Sequence, residues 1–304
     1  MINGIINVYK EKGYTSHDVI AKLRGIVKQK KIGHTGTLDP DATGVLPVCF
    51  GKATGVCDLL TDRDKNYRAV MLLGIVTDTQ DVSGQILQQQ ELKITESEVE
   101  TAIYSFIGEY QQIPPMYSAL KVNGQKLCDL ARNGISVERK PRPVKIYDIK
   151  IESIQLPRVT MMISCSKGTY IRTLLHDIGQ VLQCGGCMEE LERTMAAGFE
   201  CKDALTLDQI KDLVVAGKLE EHMVKVDDLF PSYQKGIVSA EFNKLLYNGN
   251  RLKREYFLEL KEPVDKLRVY DTEGMFIGLY EADLIRQDVK PLKIFMDREK
   301  NGVY

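Results

Sequence analysis

The residues best suited to chemistry lie in one polar loop near the start of the sequence. His34, Asp39 and Asp41 share residues 31–48 with several threonines, three glycines and two prolines, a composition that favours neither a helix nor a central strand. A carboxylate there could act as a nucleophile or a base. The loop ends in an apolar run, residues 45–50, which predicts a buried strand. Because a core strand would hold this loop in place, it could present reactive groups.

The same residue types also have simpler interpretations. Asp39 precedes Pro40, and such an aspartate often forms a turn, while His34 could be an ordinary exposed loop residue. The glycines do not indicate a phosphate site, because the loop has neither a Gly-Lys-Ser/Thr ending nor a G-x-G-x-x-G spacing. Cys184 and Cys187 form a C-x-x-C pair, but without a second ligand pair they indicate zinc only weakly.

The composition is that of an ordinary globular protein. The chain has 304 residues, enough for about two domains, with 43% hydrophobic and 27% charged residues. The net charge of -1 gives no general sign of a nucleic-acid partner, although a local basic face is compatible with it. We find no apolar run near the roughly 20 residues that span a bilayer and no secretory signal. Seven cysteines at irregular spacing favour a reducing compartment, so we expect a cytoplasmic protein.

The hydrophobic patterns predict an α+β protein. Short apolar runs predict strands at residues 4–8, 45–50, 70–74, 159–165, 267–270 and 275–280. Amphipathic spacing predicts helices that begin at residues 15–16 and that occupy residues 51–60, 94–106 and 170–182. After Pro231-Ser232, short strands and glycine turns predict a small β-barrel. We therefore predict two domains, residues 1–231 and 232–304.

Two cationic features could contact an acidic group. The span 116–150 holds eight Lys and Arg residues against three Asp and Glu residues, and a solvated face is the usual explanation of such a run. Arg172 lies in the first turn of the helix predicted over residues 170–182, where a cation opposes the helix dipole. An arginine at that unfavourable place suggests a carboxylate partner, although exposure to solvent is the default for arginine.

The polar loop resembles the catalytic loop of the bacterial tRNA pseudouridine-55 synthases in the strings GHTGTLDP, residues 33–40, and ATGVLP, residues 42–47. The resemblance continues in residues 10–16, 65–67 and 166–173, which are KEKGYTS, KNY and SKGTYIRT. The first of these strings departs from the family, because a glutamate stands where the family usually has a proline after its lysine. The family fold implies a central mixed, largely antiparallel sheet with flanking helices and a C-terminal PUA-like domain.

The resemblance also implies roles for individual residues. Asp39 falls on the catalytic aspartate, Arg172 on the arginine that keeps it ionised and aimed, and Tyr67 on the active-site tyrosine. Asp41 falls on a variable position and receives no role. The substrate-binding set comprises His34, Tyr170, Leu191 and Lys10, together with Arg139, Lys140 and Arg142 of a basic insertion, about residues 115–143, that clamps the RNA arm.

The implied reaction converts uridine 55 in the T loop of tRNA to pseudouridine. The base is flipped out, the N1–C1′ bond breaks with the help of the aspartate, and C5 joins C1′. No redox change or group transfer is needed, so we predict neither a cofactor nor a metal. We expect tRNA as partner, with the T arm at the catalytic loop and the acceptor end at the PUA-like domain.

Two alternatives remain open at the level of sequence. A guide-RNA-dependent relative would share the catalytic loop but work in a protein assembly, whereas the leading interpretation needs no obligatory protein partner and no membrane. A tRNA-binding or tRNA-folding module would not require catalysis at all. The joint presence of Asp39, Tyr67 and Arg172 argues against a purely binding role.

Overall fold

The computed structural model describes residues 1–261 and 263–296 of the chain. Its strands are β1 (Gly4–Lys10), β2 (Ile32–His34), β3 (Thr43–Phe50), β4 (Lys65–Leu73), β5 (Ile75–Thr77), β6 (Ile86–Gln89), β7 (Gly108–Gln112), β8 (Lys121–Val122), β9 (Gln125–Lys126), β10 (Arg142–Gln155), β11 (Arg158–Cys165), β12 (Gly186–Ala196), β13 (Phe199–Glu200), β14 (Gln234–Ile237), β15 (Leu252–Lys253), β16 (Lys266–Tyr270), β17 (Phe276–Asp283) and β18 (Asp288–Ile294). Its α-helices are α1 (Ser16–Val27), α2 (Cys57–Thr61), α3 (Glu96–Tyr104), α4 (Leu127–Arg132), α5 (Ile171–Val181), α6 (Leu207–Val215) and α7 (Asn243–Tyr247).

One large sheet organises the first 200 residues or so of the fold. Its strand order is β1-β3-β12-β4-β11-β10-β7, with β2 added beside β3 and β13 beside β12. Strands β3 and β12 are parallel where they meet, whereas the neighbouring pairs β1–β3 and β12–β4 are antiparallel. The predicted mixed, largely antiparallel sheet is confirmed, and its centre lies next to the polar loop that connects β2 to β3.

Helices cover both faces of this sheet because the central strands are apolar on both sides. Alternate residues of β3 enter different cores: Leu46 and Val48 pack with α1 and α6, while Val45 and Cys49 pack on the opposite face. Helices α3 and α5 cover β4, β10 and β11 in a third core. In α5 the buried side chains recur at helical spacing, so one apolar stripe faces the sheet.

The described part of the second region forms a small five-stranded sheet. Its order is β14-β16-β17-β18-β15, and a separate apolar cluster that includes Leu267, Val269 and Tyr280 fills its interior. This arrangement agrees with the predicted small β-barrel-like end of the chain. Residues 262 and 297–304 of the predicted second domain lie outside the described residues.

The predicted elements are largely present, and the differences have local causes. The polar loop is shorter than predicted, because Ile32–His34 forms β2, an edge strand that pairs with β3 alone and therefore tolerates a glycine. Helix α6 was not predicted, although Thr206 begins it with a capping box to Gln209. Within the described ranges, no helix is both long and apolar enough to cross a membrane.

Candidate active site

Asp39 and Arg172 form a two-point ion pair across 133 residues of sequence. The Nε of Arg172 lies 2.9 Å from Oδ2 of Asp39, and Nη2 donates to Oδ1 at 3.1 Å. The arginine side chain is only 7% exposed, whereas that of Asp39 is 37% exposed. The guanidinium therefore supports the carboxylate from inside the protein and leaves part of it accessible. The suggestion that Arg172 has a carboxylate partner is confirmed.

The other donors of Arg172 also have acceptors. Nη1 donates to the carbonyl of Thr79 at 3.0 Å, and Nη2 donates to the carbonyl of Tyr117 at 2.8 Å. A second carboxylate, that of Asp81, lies 3.6 Å from Nη1 and is itself fixed by the hydroxyls of Thr79 and Ser83. Two carboxylates and two carbonyls thus explain how a cation is buried at the start of α5 against the helix dipole.

Burial sets the acidity of the candidate catalytic carboxyl. Loss of hydration raises the pKa of Asp39 above its ordinary value; the charge of Arg172 opposes this rise and that of Asp81 adds to it. From the ion pair with Arg172 alone, the pKa of Asp39 is expected to be lowered. Burial outweighs that effect, so the pKa is raised instead. A carboxylate that is harder to ionise is also a stronger base and nucleophile once it is ionised.

Side chains from three other segments fix the backbone around Asp39. The hydroxyl of Ser16 accepts from the N–H of Leu38 at 2.9 Å. Lys10 Nζ donates to the carbonyl of Pro40 at 3.0 Å, and Arg193 Nη2 donates to the carbonyl of Gly36 at 3.2 Å. A loop without regular structure is thereby held rigid, as a preorganised site requires.

Lys10 lies inside the protein. Its side chain is fully buried, and Nζ donates to the carbonyls of Tyr14, Pro40 and Glu11 at 2.7, 3.0 and 3.2 Å. Burial lowers the pKa of Lys10 to about 8. The resemblance implies a substrate contact for this lysine, but its three acceptors belong to the protein. We therefore expect Lys10 to act by holding the loop.

Tyr67 and Leu191 form the apolar wall beside the loop. They lie on the adjacent strands β4 and β12, are 7% and 8% exposed, and belong to the same buried cluster as Leu38 of the loop. Burial raises the pKa of Tyr67 to about 12, while a hydrogen bond from Arg193 acts to lower it. A flat, apolar wall with a single phenol hydroxyl suits a stacked base.

Two further residues of the predicted substrate-binding set, Tyr170 and His34, are half-buried. The backbone of Tyr170 is held by Gln112, whose amide accepts from its N–H at 2.8 Å and donates to its carbonyl at 3.0 Å. Its side chain is half-buried and lies within electrostatic range of Asp39. His34 is half-buried at the end of β2, its ring 5.5 Å from that of His17, and burial lowers its pKa.

The basic insertion borders the site. Arg139 is half-buried and donates to the carbonyl of Pro114 at 3.0 Å, whereas Lys140 and Arg142 are exposed. Arg142 is close enough to Tyr170 to lower the pKa of its hydroxyl. Because the carbonyl of Tyr117, at the start of the insertion, accepts from Arg172, this segment touches the carboxylate's partner as well as solvent.

Sequence reasoning gave no role to three charged residues of the site. These are Asp81 beside Arg172, and the buried cations Lys65 and Arg193. For Arg193 a usable signal existed: it follows Leu191 by two residues on a strand, so both side chains point to the same face. A charged residue at an inward-facing strand position is rare and marks a polar interaction inside the fold.

The chain is similar to known proteins over most of its length. Residues 24–171 match the model of the TruB family pseudouridylate synthase N-terminal domain, and residues 172–231 match the tRNA pseudouridylate synthase B C-terminal domain. The tRNA pseudouridine synthase B of Lachnoclostridium phytofermentans is 52% identical over 307 residues, which covers 97% of this chain and 100% of the relative. The tRNA pseudouridine synthase B of Alkaliphilus oremlandii is 42% identical over 302 residues, which covers 98% of this chain and 100% of the relative.

Solved structures show the same fold at lower identity. A Cbf5-Nop10-Gar1 complex contains a chain with a TM-score of 0.75 and 26% identity, which covers 97% of this chain and 86% of that one. An H/ACA RNP bound to a substrate RNA containing 2'-deoxyuridine contains a chain with a TM-score of 0.71 and 25% identity. The match covers 97% of this chain and 86% of that one. Two consecutive domain matches and relatives of equal length lead to one conclusion: the chain belongs to the TruB family of pseudouridylate synthases.

Proposed function

We propose that this chain converts uridine 55 in the T loop of tRNA to pseudouridine and that Asp39 is the reacting carboxylate. The family is one of isomerases, and the relatives of equal length are tRNA pseudouridine synthases. The observation that carries the assignment of Asp39 is its position: a partly exposed carboxylate on a rigid loop, held at two points by a buried arginine. This geometry fixes the direction in which the free side of the carboxylate faces.

The reaction begins when the target nucleotide leaves the stacked T loop, at a cost of roughly a few kcal/mol. The apolar wall of Tyr67 and Leu191, together with Tyr170, which lies within electrostatic range of Asp39, provides stacking surface for the flipped base. His34, half-buried at the end of β2, is suited to fill the space that the base leaves.

Asp39 then promotes cleavage of the N1–C1′ bond. It does so either by attack on C1′ or by removal of a proton from the sugar, and both routes need an ionised carboxylate. Arg172 favours that ionised form and prevents the carboxylate from rotating away. The freed uracil turns within the pocket, and C5 bonds to C1′. Tyr67 assists in removing the hydrogen that C5 still carries.

Binding of the remainder of the tRNA falls to surfaces outside the pocket. Arg142 lies within electrostatic range of Tyr170, and together with Arg139 and Lys140 it can neutralise phosphates of the T arm. We assign the acceptor end of tRNA to the second domain, residues 232–304. The similar H/ACA structures concern an RNP, but the higher identity to complete tRNA pseudouridine synthases favours an enzyme that needs no guide.

A pseudouridine map tests this function. Purified protein is incubated with unmodified tRNA transcript, without guide RNA or other protein, and each uridine is then examined for conversion. We expect a single new pseudouridine, at position 55. Conversion at other positions only, or conversion only when a guide RNA is added, would contradict the proposal.

A further inference from the structure

Arg193 is a second buried arginine at the site, and its surroundings differ from those of Arg172. Its side chain is 1% exposed, Nε donates to the carbonyl of Val45 at 2.7 Å, and Nη2 donates to that of Gly36 at 3.2 Å. Across the described part of the chain no carboxylate pairs with it. Tyr67 is the residue directly opposite Arg193 in the register of the β4–β12 pair, and its phenol lies within electrostatic range of the guanidinium.

A second buried cation adds to this imbalance. Lys65, two residues before Tyr67 on β4, is 8% exposed and donates to the carbonyls of Thr61 and Arg63 at 2.9 and 2.6 Å. Its Cε and Nη1 of Arg193 both approach Gly36 of the catalytic loop. Both buried cations donate to carbonyls, and among the described residues neither forms an ion pair with a carboxylate. They create a positive region, and burying a charge without a paired counter-ion is costly.

The phenol of Tyr67 is the acidic group that stands directly opposite Arg193 on the neighbouring strand. We propose that Arg193 is a positioning residue for Tyr67, which it orients by a direct hydrogen bond and whose phenolate form it stabilises for removal of the C5 proton. The inference rests on the proposed function, in which Tyr67 takes part after C5 has joined C1′. Lys65 strengthens the same field without contacting the phenol.

The proton step balances as follows. The C5–H bond of the rejoined uracil breaks, and its proton passes to the phenolate oxygen of Tyr67, which becomes a neutral phenol. The electron pair of that bond forms the C5=C6 double bond, and the electron pair of the C6=N1 bond moves to N1. N1 takes a proton from water, and the phenol later returns its proton to solvent. Arg193 stays protonated throughout, because a guanidinium does not lose its proton in this range.

The test combines Arg193→Lys and Arg193→Gln with a substrate that carries deuterium at C5. General-base assistance is worth about 10²–10⁴-fold, so kcat should fall about tenfold or more in both variants. In each, the deuterium isotope effect on kcat should rise above the wild-type value, because C5 deprotonation becomes slower. Incorporating 3-fluorotyrosine at position 67 of Arg193→Lys should restore part of kcat, since the more acidic phenol needs less help from a cation.

A matched control separates this role from mere support of the loop. Lys10→Met also removes a buried cation that holds the loop, but one that does not contact Tyr67, so its isotope effect should stay at the wild-type value. A loss of kcat in the Arg193 variants with an unchanged isotope effect and no rescue by fluorotyrosine would overturn the inference. Wild-type turnover by Tyr67→Phe would instead refute the proposed role of Tyr67 itself.

A measurement on the intact arginine keeps the inference testable if both Arg193 variants lack a cooperative melting transition. In 15N spectra, the Nη resonances of Arg193 should shift and their protons should exchange faster in Tyr67→Phe than in the wild-type protein. Resonances that do not change would show that the phenol is not a partner of Arg193, and the inference would then be wrong.

Discussion

The site around Asp39 and the basic insertion differ in the exposure of their charged side chains. At the site, Arg172 is 7% exposed and contacts the carboxylate of Asp39 at two points. In the insertion, the ion pair between Arg132 and Asp129 spans 3.6 Å with side chains 72% and 58% exposed, and Lys140 and Arg142 face solvent. Buried pairs depend strongly on geometry, whereas exposed charges are screened by salt. We therefore expect residues of the site around Asp39 to control the rate of chemistry and insertion residues to control affinity.

The largest effect is expected at the carboxylate. Asp39→Asn should abolish pseudouridine formation and leave tRNA binding within about tenfold, because the amide keeps the shape but cannot act as nucleophile or base. Burial raises the pKa of Asp39, so the folded state favours the uncharged carboxyl, and its contribution to stability is lost as pH rises through the folded-state pKa. Turnover by a verified Asp39→Asn sample would exclude Asp39 from the chemistry.

A large but incomplete loss is expected when the carboxylate's partner changes shape. Arg172→Lys keeps the charge but cannot form the two-point contact, so kcat should fall about a hundredfold or more. Arg158 offers a matched control, since it also binds a carboxylate at two points, Glu189 at 2.7 and 2.8 Å, but on the surface. Arg158→Lys should keep kcat within about twofold. Equal losses in the two variants would mean that burial of the pair is not what matters.

The predicted second domain should behave like the site around Asp39 rather than like the insertion, because buried contacts attach it to the first region. Phe295 is 7% exposed in an apolar cluster with Ile5, Val45 and Phe230 of the first region, and it lies against Gly55. Phe295→Ala should lower the free energy of unfolding by about 3–5 kcal/mol, as measured by urea denaturation. Two separate transitions in the wild-type protein, with only one affected, would show that the domains are not coupled.

The smallest effect on the reaction is expected in the insertion. Replacing Arg139, Lys140 and Arg142 with Ala should weaken tRNA binding and lower the slope of log Kd against log salt by about one unit for each lost phosphate contact. Lys211→Ala, an exposed cation on α6, is the control and should leave the slope unchanged. If the triple variant keeps the wild-type slope, the insertion is only a solvated face.

The sequence predicted those features of the site that depend on local order. The loop around Asp39 could be read from its glycines and prolines, and the carboxylate partner of Arg172 from a cation at an unfavourable helix start. The site residues that the sequence did not predict contact partners far away along the chain. Asp81 reaches Arg172 from another segment, and Arg193 reaches the loop across 157 residues. Such contacts depend on strand order and register, which hydrophobic periodicity does not specify.

Lys10 illustrates a further limit of sequence reasoning. This lysine lies in a motif that resembles the family's opening segment, and the resemblance implies a substrate contact for it. The structure instead shows a fully buried ammonium with three carbonyl acceptors. Because the sequence does not reveal which way an isolated lysine points, only the packed fold distinguishes the two interpretations.

Single-turnover kinetics at saturating enzyme test the division between chemistry and affinity most directly. Pseudouridine formation is followed on full-length tRNA with three proteins: the wild type, Asp39→Asn, and the triple variant in which Arg139, Lys140 and Arg142 are replaced with Ala. The concentration of each protein is increased until all of the tRNA is bound. We predict that the triple variant then reaches the wild-type rate, while Asp39→Asn forms no product. A triple variant that stays slow when saturated, or product from Asp39→Asn, would contradict the account.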